Sequence, residues 1–252
     1  MNTVVLVHGN PETSAIWGPL MRALADRGVS DVVTLTPPGF GVASPPGWKA
    51  SQSDYRAWLV EQVEMLARPV HVLGHDWGAG HVYGAIAERP DLFESWAADC
   101  GGLVHPEYEW HDAAQGWQTA GVGEEMVDSL VSMNVAEKSA AFAAIGMTES
   151  IAADVAPWID ADMGRCILAL YRSAAQPAMR ELGARLFARR PARGAVVVPT
   201  ADPYPGTPDM ARDVASRLGA RVIELAGRGH WWMIEDPDRA AEELITFWKE
   251  ST

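Results

Sequence analysis

The sequence predicts an α/β fold: a mostly parallel sheet flanked by helices, interrupted by a helical insert. Three observations carry this. Short apolar runs alternate with helix-length amphipathic stretches at both ends of the chain, the pattern of strands buried on both faces by crossover helices. Between Leu103 and about Arg193 the alternation stops and consecutive helical patterns replace it. The length of 252 residues suits one large domain, or a core domain with an insert.

The elements follow in order. Strands are predicted over 3–7, 31–35, 70–73, 95–99, 195–198 and 221–225, most of them short continuous apolar runs such as Val4-Val5-Leu6-Val7. Helices are predicted over 16–27, 53–66, 78–88, 209–218 and 237–249, each following a strand and returning the chain for the next. The interruption contains helical patterns over 109–119, 123–133, 136–146, 148–156, 160–174 and 177–188. An insert between two strands of a parallel sheet is expected to cap the strands' C-terminal ends, where open α/β sheets bind ligands. The expected division is a core of residues 1–103 and 194–252 and a helical cap of residues 104–193. The insert carries Trp110, Trp117, Met126, Met133, Met147, Trp158 and Met163. Most of these suit the cap's own core, and a few suit the apolar lining of a pocket.

Composition removes whole classes of function. A net charge of −13 argues against nucleic acid, which needs a positive footprint. No apolar run approaches the ~18 residues of a membrane span, and the first residues lack a basic segment or cleavage motif, so a cytoplasmic location is expected. Cys100 and Cys166 make no disulfide framework. The histidines and cysteines show no ligand spacing, so neither metal nor cofactor is expected. His71, inside an apolar strand, suits a satisfied core residue, and His75 is expected to lie beside the sheet.

The chemistry centres on Gly74-His75-Asp76-Trp77-Gly78. An apolar run precedes it and a small-residue helical pattern follows, the strand–turn–helix context of a nucleophile elbow. The nucleophile position holds Asp. A carboxylate does no serine-type acyl transfer, but it can displace a leaving group from saturated carbon and become an ester. This narrows the chemistry toward carbon–halogen or epoxide opening. Two more polar residues sit just past strand ends: Asp202 in Pro199-Thr200-Ala201-Asp202-Pro203-Tyr204, and His230 in Ala226-Gly227-Arg228-Gly229-His230. Alone, Asp202 would be a turn residue and His230 a capping one. Together with the elbow they are nucleophile, acid and base in hydrolase chain order. His230 would activate water against the ester and Asp202 would orient its imidazole. His8-Gly9-Asn10-Pro11, after the first strand, is placed to lend a backbone N–H to an oxyanion hole, paired with the N–H of Trp77. The Asn10 amide and Trp77 indole add two neutral side-chain donors able to hold a halide, although either could be a turn or core residue.

On these residues the chain resembles the α/β-hydrolase superfamily, in the branch of haloalkane dehalogenases and epoxide hydrolases, over nearly its whole length. The segment from His8 to Trp17 is similar to the first loop of haloalkane dehalogenases, where the Asn binds halide, and the elbow is similar to that of both branches. Gln115 through Gly123 looks like a dehalogenase cap segment. The resemblance implies an α/β-hydrolase fold whose sheet lacks the usual first two strands, with a helical cap. It also implies halide binding by Asn10 and Trp77. Epoxide hydrolases use two cap tyrosines. Tyr171 resembles one; the place of the other holds Ala113 or its neighbours, with Tyr108 nearby. One dehalogenase branch takes its acid from the strand ending near Cys100, where this chain has Gly101-Gly102. The expectation is therefore a cofactor-independent hydrolase of a small apolar substrate, a haloalkane dehalogenase first and an epoxide hydrolase using Tyr171 second. A non-catalytic small-molecule binder of this fold is the third. Trp110, Trp117 and Tyr171 are the candidate pocket residues. A small sheet with an open edge suits a monomer or a homodimer.

Overall fold

The computed structural model describes residues 2–67, 69–189, 191 and 193–250. Its strands are β1 (Val4–Val7), β2 (Val32–Leu35), β3 (Val70–Gly74), β4 (Phe93–Ala98), β5 (Gly194–Pro199) and β6 (Arg221–Leu225). All pair in parallel, in the order β2-β1-β3-β4-β5-β6. β1, β3 and β5 are buried along their full length, which is why they read as unbroken apolar runs. Edge strands β2 and β6 are partly exposed, and β6 accordingly alternates.

The chain steps outward from β1 to β2, then returns to the other side of β1 to form β3. This reversal is a topological switch point, where the carboxyl ends of neighbouring strands open a crevice. Val7 of β1 pairs with Gly74 of β3. The loop after β1 and the Asp76 turn therefore leave the sheet side by side.

Right-handed crossovers send connections of opposite direction to opposite faces. α1 (Gly18–Asp26) covers one face and packs on the final α12 (Pro237–Lys249). α2 (Gln52–Glu64), α3 (Trp77–Glu88), α9 (Ala178–Arg189) and α10 (Pro208–Leu218) adjoin one another on the other face. α3 is buried almost throughout, as its Gly- and Ala-rich sequence allows.

Between β4 and β5 come α4 (Asp112–Gln118), α5 (Val122–Ser132), α6 (Val135–Ala144), α7 (Glu149–Val155) and α8 (Ala161–Ser173), then α9. Local signals set their ends. Asn134 and Glu137 form a reciprocal capping box at α6, and the Asp160 carboxylate caps α8 through Met163 N. α9 lies against α3, where Arg189 Nη1 donates to Ala87 O at 2.6 Å.

Each predicted strand and helix is present, the bounds of 221–225 and 237–249 coinciding and those of the others shifted. The expected helix over 109–119 begins only at Asp112. Tyr108 and Trp110 are buried. The Tyr108 hydroxyl donates to Tyr204 O at 3.0 Å, and the Trp110 ring stacks on Trp77 with centroids 5.8 Å apart. These inward contacts hold the segment extended. A short helix, α11 (Trp232–Glu235), was not expected. Among the described residues no helix is long and apolar enough to cross a membrane. Cys100 and Cys166 are buried free thiols. His71 is satisfied by Ser95 Oγ at 2.8 Å.

Candidate active site

The elbow is tight because backbone meets backbone. A Cβ on Gly74 would lie 2.5 Å from Gly78 O, and one on Gly78 would lie 2.0 Å from Val7 O. Only glycine fits either place. Between them Asp76 takes φ 51° and ψ −122°, a sparsely populated region that costs on the order of 1–3 kcal/mol for a residue with a side chain. The surroundings hold it there. Asp76 N donates to Asp99 Oδ1 at 2.9 Å, and Asn10 N donates to Asp76 Oδ1 at 2.8 Å. The Trp77 backbone N–H also serves the Asp76 carboxylate. The two expected oxyanion-hole donors thus anchor the carboxylate itself. Burial pushes its pKa up, opposed by His230, His75 and these N–H groups.

Asp202 lies in the loop after β5 and His230 in the loop after β6. His230 Nδ1 is 2.9 Å from Asp202 Oδ2, while Asp202 Oδ1 accepts from Tyr204 N at 3.0 Å. Burial pulls the His230 pKa down, but Asp202 and Asp76 outweigh it and the net shift is upward, against a downward pull from His75. Asp76 and His230 line one cavity of about 320 Å³ with Asn10, Trp117, Tyr171 and Trp231. Its remaining wall is chiefly apolar, including Leu130, Phe142 and Ile145 from the insert. Such a space takes a small, largely apolar organic molecule.

The other predicted site residues divide. Both polar atoms of the Asn10 amide are buried without a hydrogen-bond partner. The Tyr171 hydroxyl lies beside Trp77 and Asn10 without closing a hydrogen bond to the Asn10 amide, and burial raises its pKa well above the ordinary value. Tyr171 and Trp117 line the cavity, whereas Trp110 stacks on Trp77 and lines a smaller adjoining pocket with Asp76 and Tyr171. The Cys100 thiol, Asp202 and His230 have donor atoms within 4.8 Å of one another. Burial pushes the Cys100 pKa well up, and Asp202 already holds His230. That trio therefore suits a packed thiol beside the acid–base pair better than a metal site.

Sequence reasoning missed a second polar layer beneath the site. His75 Nδ1 is 2.5 Å from Asp99 Oδ2, and its Nε2 is 3.6 Å from Glu12 Oε1. Trp232 Nε1 donates to Asp99 Oδ2 at 2.7 Å, Trp231 Nε1 to Glu12 Oε2 at 2.8 Å, and Gly9 N to Glu12 Oε1 at 2.8 Å. Burial pulls the His75 pKa down, but Asp99 and Glu12 overcome it and push it up to about 10. The available signal was an Asp closing an apolar strand end, since a buried charge needs a partner.

These histidines predict a stability maximum near pH 6.5. Burial pulls His8 from 6.5 down to about 4 and His81 from 6.5 down to about 3. Below pH 6.5 the unfolded chain binds protons that the folded one refuses, so stability falls as pH drops toward 4 and 3. His75 has the opposite sign: the folded state keeps a proton that the unfolded chain sheds. Its contribution is full below pH 6.5 and is lost as pH rises toward 10. Melting temperature against pH should form a dome centred between pH 6 and 7; a plateau from pH 5 to 9 would contradict these shifts.

Comparison with known proteins matches this fold. The family model described as the alpha/beta hydrolase family matches residues 4–243. An epoxide hydrolase from Caballeronia sordidicola is 33% identical over 95 residues, which cover 36% of this chain and 29% of that protein. The match therefore spans under a third of that relative. Among solved structures, haloalkane dehalogenase DbeA from Bradyrhizobium elkani USDA94 superposes with a TM-score of 0.72 at 24% identity, covering 98% of this chain and 89% of that one. The bromoperoxidase from Bacillus anthracis gives 0.74 at 19% identity, covering 99% and 92%. These likenesses establish the fold, a scaffold that hosts different chemistries. With the family match running from β1 into the last helix, the chain belongs to the alpha/beta hydrolase family.

Proposed function

We propose that the protein is a cofactor-independent haloalkane dehalogenase working through an alkyl ester on Asp76. One observation carries the reading. The elbow nucleophile is a carboxylate already seated on backbone N–H groups, beside an Asn10 amide that is buried and unpartnered. An unsatisfied buried amide is costly, and a leaving halide would satisfy it.

The carboxylate oxygen of Asp76 attacks the halogen-bearing carbon. The new O–C bond forms as the C–X bond breaks, and the bonding pair leaves with the halide. Asn10 Nδ2–H and the Trp77 indole N–H stabilise that anion without forming a permanent ion pair with Asp76. His230 then takes a proton from water, and the hydroxide attacks the ester carbonyl. Asn10 N–H and Trp77 N–H hold the developing oxyanion, and Asp202 stabilises the imidazolium. Collapse returns the Asp76 carboxylate and releases an alcohol, and His230 gives its proton to solvent. Residues 104–193 would act as the cap, with α4, α5, α6 and α8 walling the apolar part of the cavity around a small substrate.

A second reading, epoxide hydrolysis, is favoured by Tyr171. Its hydroxyl lies beside Asn10 and Trp77 where an opening oxygen would need a proton, and an epoxide hydrolase is among the relatives. Against it, the Tyr108 hydroxyl is committed to Tyr204 O and does not serve as the second donor.

One assay separates the two. Halide release from 1-bromobutane and 1,2-dibromoethane is measured beside diol formation from styrene oxide, for the wild type, Asp76→Asn and Tyr171→Phe. The dehalogenase reading expects halide release that Asp76→Asn abolishes and Tyr171→Phe leaves within about tenfold. Diol without halide, lost in Tyr171→Phe, would install the second reading. Neither product would sink both.

A further inference from the structure

The buried layer beneath the site contains a histidine that the chemistry above does not use. His75 Nδ1 lies at hydrogen-bond distance from Asp99, 2.5 Å, while Nε2 makes no hydrogen bond and faces Glu12 at 3.6 Å, the distance of a charge contact. A neutral imidazole has one N–H and one lone pair. Either tautomer would aim its lone pair at a carboxylate oxygen in a place sealed from water. Only the imidazolium presents an N–H to both. The carboxylates are themselves fixed as acceptors: Asp99 by Asp76 N and Trp232, Glu12 by Gly9 N and Trp231. All three side chains are buried, and the acids hold the His75 pKa up at about 10 against its burial.

The His75 ring lies 4.6 Å, centroid to centroid, from that of His230. The other groups facing His230 come from every neighbouring element. Glu12 follows β1, Asp76 follows β3, Asp99 follows β4 and Asp202 follows β5, and each raises the tendency of His230 to hold a proton. Tyr204 and Cys100 stay neutral, their pKa values raised by burial, and burial lowers that of His111. Alkylation alters this balance. When Asp76 becomes an ester its negative charge is gone, while the His75 cation stays. The proton affinity of His230 therefore drops at the step where it must accept a proton from water.

We propose that His75, held as an imidazolium between Asp99 and Glu12, is a positioning residue that keeps His230 unprotonated once Asp76 is esterified. The inference rests on the ester chemistry proposed above. Its test needs no substrate: histidine-resolved nitrogen NMR follows the His75 and His230 rings against pH. Asp76→Asn serves as the uncharged stand-in for the ester. His75 should show two protonated nitrogens up to about pH 9. The His230 midpoint should fall by about one pH unit in Asp76→Asn. Adding His75→Gln should raise it by about one unit from there. Should His75→Gln fail to fold, Asp99→Asn keeps the shape and removes the charge. His75 should then titrate well below its wild-type midpoint. A His75 that titrates near 6.5 in the wild type would overturn the inference, as would a His230 midpoint indifferent to His75→Gln or a His75 midpoint indifferent to Asp99→Asn. If the ester reading alone is wrong, these shifts persist in a protein that turns over no haloalkane. If it is right, the acid limb of single-turnover ester hydrolysis moves up by about one unit in His75→Gln.

Discussion

His230→Gln should release one equivalent of halide per active site and then stop. Attack by Asp76 on carbon uses no proton transfer, so the first half of the proposed reaction needs no base. The second half does. Water is too weak a nucleophile toward an ester until a base takes its proton, a contribution on the order of 10²–10⁴-fold. Glutamine keeps roughly the volume of the imidazole and a donor toward Asp202, which sits 2.9 Å from His230 Nδ1, so the site should stay assembled. The trapped ester should appear in intact-protein mass as the alkyl group less one hydrogen. It should be absent from a His230→Gln/Asp76→Asn double variant. His75 cannot replace the base, since both its nitrogens face carboxylates. His111 lines the same cavity, so sustained turnover in His230→Gln would move the base there and retire the assignment of His230. A binding protein of the same fold would show neither burst nor adduct.

Asp76, Asp202, His230 and Asn10 were visible in the sequence for a shared reason. Each sits just past an apolar strand, where the parallel sheet presents its loops on one edge. The strand ends could be read locally, and with them the polar residues that follow. Glu12 and Asp99 were not assigned roles because their meaning depends on strand neighbours. Gly74 pairs with Ala98 across β3 and β4, so residues 75 and 99 emerge side by side, and Asp99 serves His75 instead of His230. No local pattern announces that pairing. The side chains facing the cavity were harder still. Trp110 and Trp117 belong to one short stretch of sequence, yet Trp117 faces the larger cavity while Trp110 stacks on Trp77 in the wall of a smaller one. Their directions follow from how α4 meets α8 and the elbow, which is tertiary information.

Gly78→Ala should destabilise the folded protein by about 3 kcal/mol or more, the upper range for forcing extra atoms into a packed interior. The added Cβ would sit 2.0 Å from Val7 O, 2.6 Å from Val7 C and 2.8 Å from His8 O. These are backbone atoms, so no side-chain rotation relieves the clash. The strand cannot retreat either. Val7 O accepts from His75 N at 2.9 Å, and β1 is held between β2 and β3. Moving α3 away would pull the elbow off its clamp on Asp99 and take the Asp76 carboxylate away from Asn10 N. The same variant should therefore lose the site before it loses the fold, with any surviving folded fraction inactive. Gly18→Ala is the matched control. Gly18 begins α1 with helical angles, and beyond its neighbour Pro19 its added Cβ would meet only the far end of Arg22 at 3.5 Å. Alanine there meets no packed backbone, but its helical angles ahead of Pro19 offset the gain from a stiffer unfolded chain, so a change within about 1 kcal/mol is expected. Urea unfolding of the two variants beside wild type measures the difference. A Gly78→Ala midpoint matching that of Gly18→Ala would mean that the elbow does not press against β1. The argument for a strained, preorganised Asp76 would then lose its support.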